Sequence, residues 1–133
     1  MPDADSVRDL TAEEFFAGFL AAVALQRQAL EGKRSDLHRA FYRAVRGDAG
    51  KAFGAVDKFA IDFDPLYGLS PWFDRALTRA QRDLLLDFSN PSYKKVVLRV
   101  TREEGERRLG TLGMPEEFKN LAAAFLVELR PAR

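Results

Sequence analysis

Three arginines, Arg75, Arg79 and Arg82, recur at i, i+4 and i+7 in the run SPWFDRALTRAQRD. On a helix that spacing puts all three guanidiniums on one face. A guanidinium fork pairs bidentately with guanine edges or with phosphate oxygens. The same spacing also suits a plain solvated face, with Asp74 and Asp83 as local partners. A second basic group, Lys94, Lys95, Arg99 and Arg102, follows closely. It fits phosphate or minor-groove contact, or the simpler task of keeping an edge strand from aggregating. Asn90, Ser92 and Tyr93 offer hydrogen bonds to phosphate, although turn chemistry already accounts for Asn90 and Ser92.

Catalytic chemistry finds less footing. His38 is the sole histidine, and Glu31, across Gly32, does not stand at ligand spacing from it. A surface or helix-packing role is expected. Asp62 and Asp64 alternate as paired carboxylates of a metal site do, yet no third ligand accompanies them and Asp64-Pro65 is an ordinary turn opener. Gly47-x-x-Gly50-Lys51 lacks the strand, length and Ser/Thr of a phosphate-binding loop. No serine elbow occurs. The absence of cysteine excludes disulfides, thiolate metal sites and cysteine nucleophiles. The expectation is a non-enzyme without catalytic residues, metal or cofactor.

Length and composition set the frame. The 133 residues suffice for one domain with a real core. Eleven phenylalanines predict an aromatic-rich core or a buried contact with a partner. The net charge of +1 does not announce a nucleic-acid binder, but the charge is sectored. Residues 1–32 carry Arg8 and Arg27 against six acids, whereas residues 75–108 carry nine Arg or Lys against five Asp or Glu. The start MPDADSVRDL is acidic and polar, unlike a signal peptide. The most apolar run, Phe15 to Leu25, is too short to span a bilayer, so no membrane role and a cytoplasmic location are expected. Arginine outnumbers lysine fifteen to six, a composition suggestive of a GC-rich bacterial genome.

The elements that must position the basic groups follow from caps and periodicity. Residues 1–10 read as a loose acidic lead. Thr11 with Glu14 forms a capping box, predicting a helix from Ala12 to Glu31 stopped by Gly32. Ser35 predicts a second helix over Asp36–Arg46, with Arg39, Arg43 and Arg46 on one exposed stripe. Residues 47–58 are open between helix and loop. Phe59, Ile61 and Phe63 alternate like a short strand. Ser70-Pro71 is a strong helix start, and the helix should bury Phe73, Ala76, Leu77, Ala80 and Leu84 and end near Asp83. Leu84–Phe88 and Lys94–Val100 predict a hairpin around Ser89-Asn90-Pro91-Ser92. Thr101 with Glu104 opens a helix through Leu109 or Leu112. Pro115 opens the last, whose stripe Phe118, Leu121, Phe125 and Leu129 serves either the core or a dimer.

From Ser70 to Leu109 this order of helix, hairpin and Thr-x-Glu-Glu-Gly-x-x-x-Leu resembles winged-helix domains of the MarR and PadR type. A looser likeness, carried by Tyr67-Gly68-Leu69-Ser70-Pro71, is to Panacea/SocA-like bacterial proteins, several of which bind protein partners. The first resemblance implies a reading helix over 71–83 and a wing over 89–95. One departure stands out: about ten residues, FAIDF then DPLYGL, precede Ser70, where a helix-turn-helix has a turn of three or four.

The expected architecture is α+β, mainly α, in one winged-helix-like domain. Its N-terminal helices span 12–58, the strand, reading helix and wing 59–101, and the C-terminal helices 102–130, with a two- to three-stranded β wing. The expected function is a DNA-binding transcriptional regulator contacting duplex DNA through Arg75, Arg79, Arg82, Lys94, Lys95 and Arg99, in a homodimer formed through the C-terminal helix. The alternative is an antitoxin- or adaptor-like module that binds a protein partner.

Overall fold

A computed structural model describes residues 10–88 and 95–129. The described chain is mainly helical with one small, open antiparallel sheet, an α+β architecture. Helix α1 (Ala12–Gln26) opens on the Thr11–Glu14 capping box, each partner accepting the other's backbone N–H at 3.0 Å. It runs through the middle of the molecule and packs on α6 (Arg102–Leu112) and α7 (Pro115–Leu129). Helix α2 (Arg34–Arg46) lies along α7, and α5 (Pro71–Arg82) closes the other side.

Helix α1 is shorter than its periodicity predicts. It stops at Gln26, where Arg27 turns extended, and Ala29–Glu31 becomes strand β1. The cause is tertiary: β3 (Lys95–Leu98) has a free edge, and β1 satisfies it with Ala29 opposite Val97 and Leu30 opposite Val96. The Leu98 N–H donates to the Gln28 carbonyl at 2.7 Å, extending the ladder. Strand β2 (Leu86–Phe88) covers the other side of β3, giving the order β1–β3–β2. Val96, Leu98 and Val100 face the core as predicted, while Arg99 points outward.

The strand expected at Phe59–Phe63 does not form. Val56 accepts the Ile61 N–H at 3.0 Å, and Ala60 adopts a left-handed φ of 54°. The apolar residues of this segment are used one at a time. Phe59 meets Phe15 and Trp72, Ile61 is buried, and Phe63 stacks on Tyr42 at 5.1 Å. The third strand is therefore β1. Residues 47–58 resolve into two short helices, α3 (Asp48–Lys51) and α4 (Ala55–Lys58), separated by Gly54 at a left-handed φ of 61°.

Two smaller expectations are also corrected. Lys33, not Ser35, precedes α2, and the Asp36 carboxylate accepts its N–H at 3.2 Å. Leu84, expected in the core, is 74 % exposed at a φ of 63°, because it forms the left-handed stop after α5 and lets the Leu85 N–H reach the Ala80 carbonyl at 2.9 Å.

Most of the described phenylalanines are core residues. Phe15, Phe19, Phe41, Phe118 and Phe125 are fully buried and meet edge-on or tilted, as with Phe19 and Phe125 at 5.1 Å. The α7 stripe Phe118, Leu121, Phe125 and Leu129 is spent in this core. A dimer through α7 would need another of its faces. Residues 1–9 of the N-terminal lead, the wing tip 89–94 and Pro131 lie outside the described residues, whereas Leu10, expected in the loose lead, is buried in the core.

Helices α1 and α6 touch backbone to backbone at Gly105, where an added Cβ would stand 2.9 Å from the Ala21 carbonyl oxygen. Gly110, five residues on, has nothing within 4 Å of such a Cβ. In urea unfolding, Gly105→Ala should lower stability by about 1–3 kcal/mol, whereas Gly110→Ala should raise it by roughly 0.5–1 kcal/mol.

Candidate nucleic-acid interface

Helix α5 owes its position to its first turn, where three N–H groups lack intrahelical acceptors by geometry. Ser70 Oγ accepts from Phe73 N–H at 3.1 Å, and Pro71 has no N–H to satisfy. Asp62 Oδ1 accepts from Trp72 N–H at 3.2 Å. His38 Nδ1 accepts from Ser70 N–H at 2.9 Å. The two residues that most suggested catalysis or metal binding thus hold the start of a helix. Asp64 likewise makes a turn, its carboxylate accepting the Leu66 N–H at 2.9 Å. Among the described residues no group of three or more His, Asp or Glu could hold a metal ion.

His38 is wholly buried, and Phe73 meets its ring edge-on at 4.9 Å. Burial, reinforced by the Arg34 guanidinium and opposed by Asp74, lowers its pKa to about 4. The imidazole is therefore neutral at pH 7. Because Nδ1 accepts, the proton is assigned to Nε2, which is buried without a hydrogen-bond partner. Arg34 also ion-pairs with Asp74 on α5 at 2.6 Å. Two contacts from α2, one buried and one exposed, therefore hold the first turn of α5.

The arginines of α5 do share one exposed side, but they are not equivalent. Arg79 pairs with Glu13 of α1 at 3.2 Å. Arg75 and Arg82 have no ion-pair partner among the described residues. Neither of the local acids expected as partners is used: Asp74 goes to Arg34, and Asp83 pairs with no arginine of α5. On the hairpin, Arg99 is tied to Asp87 across the β2–β3 pair at 3.1 Å. Lys94 lies outside the described residues, and Lys95 opens β3 opposite Glu31.

Arg75 and Arg79 also line a groove of about 490 Å³ between α1 and α5. Its floor is apolar, with Phe16, Ala17, Trp72, Ala76, Ala80 and Leu85, and Arg108 of α6 stands on its rim. Arg82 and Arg99 are not part of it. The groove is missed by sequence reasoning because its alanines come from two helices far apart in the chain. The only signal was the run of small residues on the flank of each apolar stripe.

The burial of His38 has a definite pH signature. The folded pKa lies below the unfolded value of 6.5, so the unfolded chain binds the proton more readily. The stabilisation is complete above pH 6.5 and is lost as pH falls toward 4, by about 3 kcal/mol in all. His38→Asn keeps an acceptor near Nδ1 but cannot titrate. Urea midpoints measured from pH 7 to pH 4 should show a steep fall in the wild type and a shallower one in the variant. Parallel curves would mean that His38 does not carry the effect.

No helix among the described residues is long and apolar enough to cross a membrane. Comparison of the chain with protein-family models, with curated proteins and with solved structures gives no match.

Proposed function

We propose that this protein is a DNA-binding regulator of winged-helix type, reading duplex DNA with α5 and steadying it with the β2–β3 hairpin. The observation that carries this reading is the order of elements. The succession α1, β1, α2, α5, β2, β3 is interrupted by the short α3 and α4 between α2 and α5, and its strands are ordered β1–β3–β2. It supports the reading because a winged helix is expected to follow that order, with β1 added to the inner strand of the wing. Helix α5 lies against β2 and turns Pro71, Arg75, Thr78 and Arg82 to solvent.

The link from α2 to α5 runs over residues 47–70, far longer than a helix-turn-helix turn. The His38–Ser70 bond and the Arg34–Asp74 pair do the work of that turn by fixing the first residues of α5 against α2. With a net charge of only +1, affinity would rest on local phosphate and base contacts rather than on the field of the whole molecule.

A second reading, a protein-interaction module, is favoured by one observation. Leu66 and Tyr67 are 81 % and 70 % exposed at the tip of a rigid turn, in which Asp64 donates to the Leu69 carbonyl at 2.7 Å and accepts from Gly68 at 2.8 Å. Two large apolar side chains displayed on fixed backbone suit a partner's pocket.

Fluorescence anisotropy with duplex DNA separates the two readings. Binding should weaken linearly in log salt. Arg82→Ala and Arg75→Ala should each cost about five- to tenfold and make the slope shallower by about 1. Arg79→Ala should cost less, because Glu13 already neutralises it, and Tyr67→Ser should change nothing. Absence of binding at low salt would overturn the DNA reading and leave the displayed turn as the functional surface.

A further inference from the structure

The groove between α1 and α5 has the size and lining of a small-molecule site. Its rim carries three arginines, Arg75, Arg79 and Arg108, and three carboxylates, Glu13, Glu14 and Asp83, with one ion pair between them. Glu13 is taken by Arg79, and the Glu14 carboxylate accepts the Thr11 N–H in the cap of α1. Arg75 and Arg108 have no ion-pair partner among the described residues. Glu104, one turn before Arg108, accepts the Thr101 N–H and hydroxyl on Oε1 at 3.1 and 3.0 Å. Those bonds first, then the nearby Arg107 and Arg108 charges, favour its ionised form. Glu14, whose bond to a neutral N–H leaves its charge intact, and Asp83 also have no ion-pair partner among the described residues. The groove still offers two guanidiniums to an incoming anion.

The floor specifies the rest of the ligand. Trp72 lies parallel to Phe41 at 5.8 Å and near-parallel to Phe59 at 6.3 Å, and Phe16 meets it edge-on at 5.9 Å. The aromatic faces beneath the groove are thus occupied by other rings. What remains is a strip of alanine methyls and Leu85, which suits a flexible alkyl chain better than a stacked ring.

We propose that this groove binds a medium-chain aliphatic carboxylate, its chain along Ala17, Ala76, Ala80 and Leu85 and its carboxylate on the free guanidiniums of Arg75 and Arg108. An occupied groove withholds Arg75 from DNA, so the ligand is an effector. This last step rests on the DNA reading; the binding site does not.

Trp72, the sole tryptophan, reports occupancy directly. Decanoate, titrated below its micellar concentration, should change Trp72 emission saturably. Decanol should bind at least tenfold more weakly. The exposed double variant Arg75→Ala/Arg108→Ala should raise the half-saturation concentration at least tenfold, with an unchanged urea midpoint excluding misfolding. Equal binding of decanoate and decanol, an unaffected double variant, or no saturable change would overturn the proposal, as would capture of an amphipathic peptide in place of decanoate. In anisotropy, decanoate should weaken DNA binding by the wild type and not by Arg108→Ala. Decanoate binding without any DNA binding would keep the site and remove the effector role. DNA binding indifferent to decanoate in a protein whose Trp72 responds would do the same.

Discussion

A buried hydrogen bond, from the Ser70 backbone N–H to His38 Nδ1, fixes the start of α5 against α2. On one side stands α2, itself clamped to α7; on the other is the first residue of the helix that carries the exposed arginines. The bond works only while the imidazole is neutral, since a protonated Nδ1 would face the Ser70 N–H donor to donor. Burial keeps it neutral, and the cost is a second ring nitrogen sealed from water without a partner. The arrangement tolerates this because Phe73, the neighbour of that nitrogen's ring, is also the residue whose N–H completes the Ser70 cap. Packing and capping reinforce each other at one point.

Around that point the aromatic core provides stiffness. Phe41 stacks on Phe73 at 4.3 Å and on Trp72 at 5.8 Å, so α2 and α5 share ring contacts directly behind the hydrogen bond. Displacing α5 would break polar and apolar contacts together. That coupling explains how a long, irregular connection between the two helices still leaves the arginine face in a defined place. It also gives the groove a firm floor, because the rings that line it are held from behind.

Some of this was legible in the residues and some was not. The capping boxes at Thr11 and Thr101 and the Ser70-Pro71 start are local, and each opens a helix at the predicted residue. The inward alternation of Val96, Leu98 and Val100 was equally plain. Strand β1 was not, because Ala29, Leu30 and Glu31 continue the helical period of α1 and become a strand only where β3 leaves an edge to fill. The alternation of Phe59, Ile61 and Phe63 misleads for the opposite reason: each residue finds its own aromatic or core partner and no neighbouring strand is at hand. The partner of His38 lies 32 positions further along the chain, and the acid that neutralises Arg79 sits on α1. Charge on a helix face can be read from spacing, but whether that charge is free depends on what the fold sets opposite.

The contact at Gly105 bears on how the molecule can move. With no side chain between them, α1 and α6 lie close enough that neither can slide along the other without driving a carbonyl into a Cα. These helices, with α7 packed on both, therefore form a rigid block. The hairpin is tied to the same block, because β3 pairs with β1, the continuation of α1. With α5 held to α2 by the His38–Ser70 bond and the Phe41–Phe73 stack, the arginines are presented from that same stiff frame.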